Sequence, residues 1–334
     1  MSNNINESAN FPKVVFVIGQ TASGKSDLAV KIASELGSIV ICADAYQVYR
    51  EFSVASDKIL QSEMKGVRHF GLDLLDPGDE YNVKEFLEYA VPLINRELAS
   101  GKSVVVIGGT HMYIEKLLFT SRIDTDKPNS NYAAGERQYT FEHLREIDPK
   151  MAMRLHPNDV RRWSRAIDFY YDTETRMSEM LDSQTRELRW EDIVVLEKRV
   201  EGYNESLEHR IKERIETKML KNDALKNELL HIKYLVEEGK LKWGKGLLQA
   251  IGYKEFEKYL SHSSGDDAVY SEQLFKEAVA EMTLNTVRYS KKQSKWLKKL
   301  HSYLEIFEVE NFESVKTLSL IHAKVSLVKR LPSW

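Results

Sequence analysis

Cysteine is almost missing from this chain of 334 residues: Cys42 stands alone, so an internal disulfide and a cysteine-ligated zinc site are both excluded. That usage fits a reducing compartment, and a cytoplasmic setting is the expectation. No apolar run approaches the ~20 residues of a bilayer-crossing helix, which predicts no membrane partner. The first ten residues, MSNNINESAN, lack Lys, Arg and any apolar stretch; they match neither a secretory signal nor a basic transit peptide, and read as a frayed tail. A strong charge of one sign is also missing. The 48 basic side chains nearly offset 51 acidic ones, and a net charge of −3 gives no global pull on polyanions, although it leaves local patches open. There is no fixed-period repeat and no low-complexity tract. What is present, 42% hydrophobic and 30% charged residues, suffices for a sizeable core in one large or two ordinary domains.

The first signals alternate between strand and helix. KVVFVI, from Lys13 to Ile18, is a β-branched run bounded by Pro12 and Gly19, the pattern of a buried parallel strand. From Ser26 the apolar residues recur at helical spacing and stop at Gly37. SIVICAD, VKEFLEYAVPLINRELASG and SVVVIGG continue as strand, helix and strand. The succession predicts an α/β fold with a parallel sheet. Strand signals thin out after about Thr120. The polar, helix-favouring stretch 124–186, entered through Pro128, Asn129 and Ser130, reads as a helical insertion between two parts of a core, 11–123 and 187–310, with 311–334 as a tail. Beyond the apolar Ile193 to Leu196 run, long charged helices are expected from Ser206 to Glu238, Trp243 to Leu260 and Ser271 to Leu300, with a loop at Ser263 to Asp266 before the last.

GQTASGKS, from Gly19 to Ser26, fits GxxxxGK[ST] between a predicted strand and a predicted helix, the context of a P-loop. Backbone N–H groups of Thr21, Ala22, Ser23 and Gly24 can surround an anion, Lys25 can reach outer phosphate oxygens, and Ser26 can hold Mg²⁺. The loop does not choose among diphosphate-bearing ligands. Asp44 ends the second strand, expected beside the P-loop strand, where a carboxylate faces the ligand crevice. It could hold Mg²⁺ through water, take a proton from a nucleophile, or simply cap the next turn. Gly108, Gly109 and Thr110 end the third strand, either as a close approach to a ligand, with a hydroxyl for a phosphate oxygen, or as a tight turn. His69 and His156 lack partners at metal-ligand spacing and are assigned hydrogen-bonding or structural roles.

Taken together, GQTASGKS, ICADAYQVY, GVRHFGLDLLDP, SVVVIGGTHMY, HPNDVRRWSRAIDFY, QAIGYKEF and RYSKKQSKW resemble, in order, the tRNA dimethylallyltransferase family, from Gly19 to Trp296. The resemblance implies a P-loop kinase-like core with a helical insertion that contacts tRNA. It also implies a dimethylallyl diphosphate donor, Mg²⁺, and transfer to the exocyclic amine of the adenosine 3′ of the anticodon. Carried onto this chain, it makes Asp44 the general base, sets Thr110 against the diphosphate bridge, and gives Arg214, with Arg210 a helical turn earlier, to the diphosphate. It places Gln47 and Lys58 on the tRNA side. Ser56 and Asp57 depart from the family's usual Thr and small or amide residue. An adenylate dimethylallyltransferase and a P-loop small-molecule kinase are the alternatives, although no Arg-rich lid of a kinase is visible. The zinc finger that eukaryotic relatives often carry has no CxxC pair here.

From Met282 to Leu304 there is no acidic residue, while Arg288, Lys291, Lys292, Lys295, Lys298 and Lys299 share a predicted helix with Tyr289 and Trp296. Such a stripe suits a phosphate backbone, or else it is an ordinary solvated helix face. Arg161 and Arg165, on one face of a helix begun by Asn158 or Asp159, are a second candidate tRNA contact.

Overall fold

The computed structural model describes residues 12–121, 139–183, 186–262 and 268–322. The chain forms two compact units, one from the segment up to Leu118 together with Trp190 onward, the other from Phe119–Arg189.

The first unit is built on β1 (Val14–Ile18), whose five residues are all buried, as expected of a strand covered on both faces. The phosphate-loop sequence follows, and then α1 (Lys25–Leu36), stopped by Gly37 in the left-handed conformation. β2 (Ile39–Cys42), the two-residue β3 (His69–Phe70), α2 (Val83–Ala99), β4 (Val104–Ile107) and α3 (His111–Leu118) complete the first half. Asn82 starts α2 with a capping box, its side chain accepting the Lys84 and Glu85 N–H groups while Glu85 reaches back.

In the second unit, β5 (Phe119–Ser121) pairs antiparallel with β6 (Arg186–Leu188). Between them lie α4 (Phe141–Ile147), α5 (Pro149–Arg154), α6 (Val160–Thr173) and α7 (Met177–Ser183), around a core that includes Leu144, Trp163 and Ile167. The buried Asp148 joins two of these helices, one carboxylate oxygen accepting Met151 N–H at 2.9 Å and the other Ser178 N–H at 2.8 Å.

The chain re-enters the first unit through β7 (Ile193–Lys198). α8 (Tyr203–Arg214), α9 (Ala224–Glu237), the short α10 (Glu257–Ser261), the long α11 (Ala268–His301), β8 (Phe307–Val309) and α12 (Ser314–His322) follow. The sheet order is β3-β2-β4-β1-β7-β8, with every neighbouring pair parallel. Val15, Val17, Val40 and Val105 face one side of it and bury α1 together with Val309 and Ile321. Among the described residues no helix is long and apolar enough to cross a membrane.

Four expectations are corrected. β4 lies between β1 and β2, so Asp44 ends the second strand away from the phosphate loop rather than the adjacent one. The helix expected over Ser206 to Glu238 is broken by a π-helical turn at Ile215–Met219 and by left-handed Asn222 and Asp223, residue types whose short polar side chains tolerate that conformation. Trp243 to Leu260 forms two 3₁₀ turns before α10, because Gly244, Gly246 and Gly252 all take positive φ. The segment taken as a tail from 311 supplies α12, whose Thr317 and Ile321 are buried. The expected entrance at Pro128 to Ser130, the loop at Ser263 to Asp266, the first ten residues and the last part of the chain from 323 lie outside the described residues.

Candidate active site

Three neighbouring strands, β2, β4 and β1, deliver their carboxyl ends to one edge of the sheet. Gly24, at φ 84°, turns the chain from β1 into α1, so the N–H groups of the helix start face the loop interior. Gly108 is needed for a different reason. A Cβ there would lie 2.4 Å from the Ala43 carbonyl oxygen, and its absence lets the ends of β2 and β4 meet. As a result the Thr110 hydroxyl accepts Ala45 N–H at 3.3 Å and hydrogen bonds to the Asp44 carboxylate.

Asp44 Oδ1 also accepts the N–H groups of Tyr46 (2.9 Å) and Gln47 (3.3 Å). Burial pushes its carboxyl above the usual carboxylate range, while those N–H groups, Lys25 and Thr110 pull the other way. Burial, helped by Arg214, lowers the Lys25 ammonium to about 8, opposed by Asp57 and Asp44. Burial thus makes the carboxylate more basic and the ammonium more acidic, while across the site Asp44 and Lys25 each help to hold the other charged.

Arg210 and Arg214 reach the loop from α8. Arg210 donates from Nε (3.1 Å) and Nη2 (2.7 Å) to the Ala22 carbonyl, and Arg214 donates from Nη1 to Thr21 Oγ1 at 3.0 Å. Lys25 Nζ donates to the Gln20 carbonyl at 2.7 Å. Two buried polar atoms in this cradle have no partner, Ser23 Oγ and Arg214 Nε. An unpaired buried polar group costs ~1–3 kcal/mol, and both of these can donate to the oxygens of an anion. The oxygen donors nearby, the Ser26 hydroxyl and the Asp44 and Asp57 carboxylates, are hard ligands of the kind Mg²⁺ takes.

The brace that holds the loop is not visible in the motif. Gln293, on α11, spans it: its Oε1 accepts Thr21 N–H at 2.7 Å and its Nε2 donates to the Gly109 carbonyl at 3.0 Å. The Tyr203 hydroxyl donates to the Thr21 carbonyl at 2.5 Å and is 2.9 Å from Ser290 Oγ, and the Tyr289 hydroxyl donates to Gly109 O at 2.8 Å. A sequence signal existed. Met282, Thr286, Ser290, Gln293, Leu297 and Leu300 are buried at helical spacing, and the polar middle of that stripe marks where the helix meets a loop instead of a core.

Other sequence-predicted residues fall differently. Lys58 is turned inward, its side chain 6% exposed, with Nζ 2.6 Å from both the Tyr49 carbonyl and Asp73 Oδ1; it ties a loop together and does not offer a charge to tRNA. Gln47 likewise donates to the Ser56 and Asp57 carbonyls. Arg161, Arg165, Arg288, Lys291, Lys292 and Lys295 are exposed, the first pair on α6 and the rest on α11. Tyr289 and Trp296 are not on the basic face. Both stack on His111, at 6.0 and 4.6 Å between ring centroids, where burial and then Lys25 hold the imidazole down at about 4. His69 and His156 have backbone partners, the Val67 carbonyl and Asn158 N–H, in keeping with the roles assigned to them. Among the described residues, Glu197, His301 and Glu308 come close enough to hold a metal, but Arg199 already bridges the two carboxylates.

The sequence model of IPP transferase matches residues 47–300, which is most of the chain. This chain belongs to the IPP transferase family. Among its relatives, the tRNA dimethylallyltransferase of Bacillus cytotoxicus is 30% identical over 323 residues, covering 94% of this chain and 96% of that one. The Bacillus cereus enzyme of the same name is 31% identical over 299 residues, covering 86% and 87%. Of solved structures, a eukaryotic dimethylallyltransferase acting on tRNA superposes with a TM-score of 0.73 at 26% identity, over 92% of this chain and 76% of that one. The tRNA isopentenylpyrophosphate transferase of Staphylococcus epidermidis gives 0.58 at 25% identity, over 90% and 93%. Within the IPP transferase family, then, this chain has the family's core, and its Gln293 brace and its Asp57 are features read from its own geometry.

Proposed function

We propose that the protein transfers a dimethylallyl group from dimethylallyl diphosphate to the exocyclic amine of the adenosine 3′ of the anticodon in tRNA, releasing diphosphate. The observation that carries the reading is the pairing, at one sheet edge, of an anion cradle with Asp44, a half-buried carboxylate held by Thr110 and the Tyr46 and Gln47 N–H groups, its proton affinity raised by desolvation. An alkyl transfer to a weakly nucleophilic amine needs such a base.

In the reaction the amine nitrogen bonds to the allylic carbon as the carbon–oxygen bond to diphosphate breaks, and the proton released by the amine passes to Asp44. Lys25, Arg214 and the loop N–H groups hold the leaving oxygens, so they stabilise negative charge as it grows there. Thr110 keeps the Asp44 carboxylate aimed and its hydroxyl close to the bridge of the donor. When bound, Mg²⁺ supplies further neutralisation of the diphosphate, and the Ser26 hydroxyl would hold it. Arg161 and Arg165, and on α11 Arg288, Lys291, Lys292 and Lys295, serve as contacts to the tRNA backbone. The target base must leave its stack to reach Asp44. A tRNA acceptor and a chain with one buried cysteine accord with a cytoplasmic enzyme.

Incubation with labelled dimethylallyl diphosphate and either tRNA or AMP tests this. Label is expected in tRNA. Label in AMP alone, or ATP consumed with no prenyl donor present, would overturn the reading.

A further inference from the structure

The loop that follows β2 carries a carboxylate into the cradle. Asp57 Oδ2 accepts from Arg214 Nη1 at 3.1 Å, the same nitrogen that donates to Thr21 Oγ1 at 3.0 Å. Its other oxygen is 3.7 Å from Lys218 Nζ, on the π-helical turn that follows α8. A negative group therefore sits on the arginine assigned to the donor's phosphates, and is sensed by Lys25 as well.

The loop backbone is held by buried groups, whereas the Asp57 side chain is held by the partly exposed pairs with Arg214 and Lys218. Glu228, buried on α9, accepts the N–H groups of Ser53 (2.6 Å), Val54 (2.7 Å) and Ala55 (3.2 Å). Lys58 anchors the other end, and Gln47 holds the Ser56 and Asp57 carbonyls. The Asp57 side chain is 34% exposed, which leaves it a solvent-facing route off Arg214. Its backbone φ is 49°, a conformation that Asp and Asn accept and larger residues resist.

We propose that Asp57 is an internal counter-anion of the phosphate cradle: it occupies Arg214 until the donor arrives, must be displaced or neutralised for diphosphate to bind, and so makes binding depend on Mg²⁺. This rests on the proposed assignment of the cradle to a diphosphate. A bare diphosphate meets the Asp57 charge directly. A Mg²⁺-bound one brings positive charge to the same place, where a second carboxylate becomes tolerable.

The test is calorimetric titration of the whole protein with inorganic diphosphate, with Mg²⁺ and with a chelator. Asp57→Asn keeps the size and the left-handed preference and removes the charge. In chelator it should bind diphosphate at least ~10-fold more tightly than the parent, with the gap closing to about 3-fold or less in Mg²⁺. If Asp57 served only to tie the loop to Arg214, the variant would bind equally or more weakly in both buffers, and the proposal would fail. Asp57→Gly, also compatible with positive φ, should behave as Asp57→Asn does. The parent protein gives a reading without any variant: its diphosphate affinity should rise at least ~10-fold on adding Mg²⁺, and a rise below about 2-fold overturns the idea. Absence of any diphosphate binding by the parent would instead remove the donor assignment itself.

Discussion

At the scale of single residues, the chemistry turns on Asp44 and Lys25, each shifted by burial and partly held in its charged form by the other. Replacing Asp44 by Ala should lower the catalytic rate at least ~100-fold, the contribution of a general base, while diphosphate affinity measured by calorimetry stays nearly intact. Equal turnover would remove Asp44 from the mechanism. The pH profile should carry the same signature. Asp44 must be ionised to accept a proton, so kcat/KM for the donor should fall on the acid side, with an inflection above the ordinary carboxylate range because burial raises that carboxyl. Lys25 must be charged to hold phosphate, and with an ammonium at about 8 in the free protein the alkaline limb should begin near that pH. A profile flat from pH 7 to 9 would sink the Lys25 half of this assignment. These residues were legible in the sequence because phosphate chemistry imposes a fixed order of small and cationic side chains on the loop. Asp57 was only legible as a departure. Its pairing with Arg214 depends on a contact across 157 residues that no local pattern encodes.

At the scale of elements, α11 has two faces with two jobs. Its inward face braces the phosphate loop through Gln293 and Ser290 and the turn after β4 through Tyr289, and its exposed stripe carries Lys291, Lys292 and Lys295. Changing those three lysines to Glu should weaken tRNA binding at least ~10-fold and flatten its dependence on salt, since each phosphate contact adds to the counterion slope. Diphosphate affinity should change by no more than about 2-fold. Filter binding of tRNA across a salt series measures the first, and an unchanged slope would reduce the stripe to a solvated surface. The existence of this helix followed from its apolar period. The direction of its aromatic rings did not: Tyr289 and Trp296 share the helix with the basic residues, but their neighbour His111 takes both rings. The interrupted helices over 206–260 were misread for a related reason, because a charged, helix-favouring composition hides single left-handed residues such as Asn222.

At the scale of the whole molecule, the parallel order was legible from the strand–helix alternation, whereas the insertion of β4 between β1 and β2 was not, since hydrophobic runs specify burial and leave neighbours open. The same holds for the far edge. β8 is three residues long, and α12 follows it onto the sheet face already covered by α1. Ile321, 1% exposed, makes that attachment testable. Ile321→Ala should cost ~2–5 kcal/mol, as a large-to-small change in a packed core does, and move the urea midpoint of the sheet-containing unit accordingly. An unchanged midpoint would mean that α12 lies outside the cooperative structure.

Gln293 closes the loop from a position 272 residues further along the chain. On a ribosome adding roughly 5–20 residues each second, Thr21 emerges on the order of 15–50 s before the side chain that will hold it. The phosphate-loop segment is thus made well before it is finished, and a nascent protein cannot acquire the braced loop until synthesis has passed through α11.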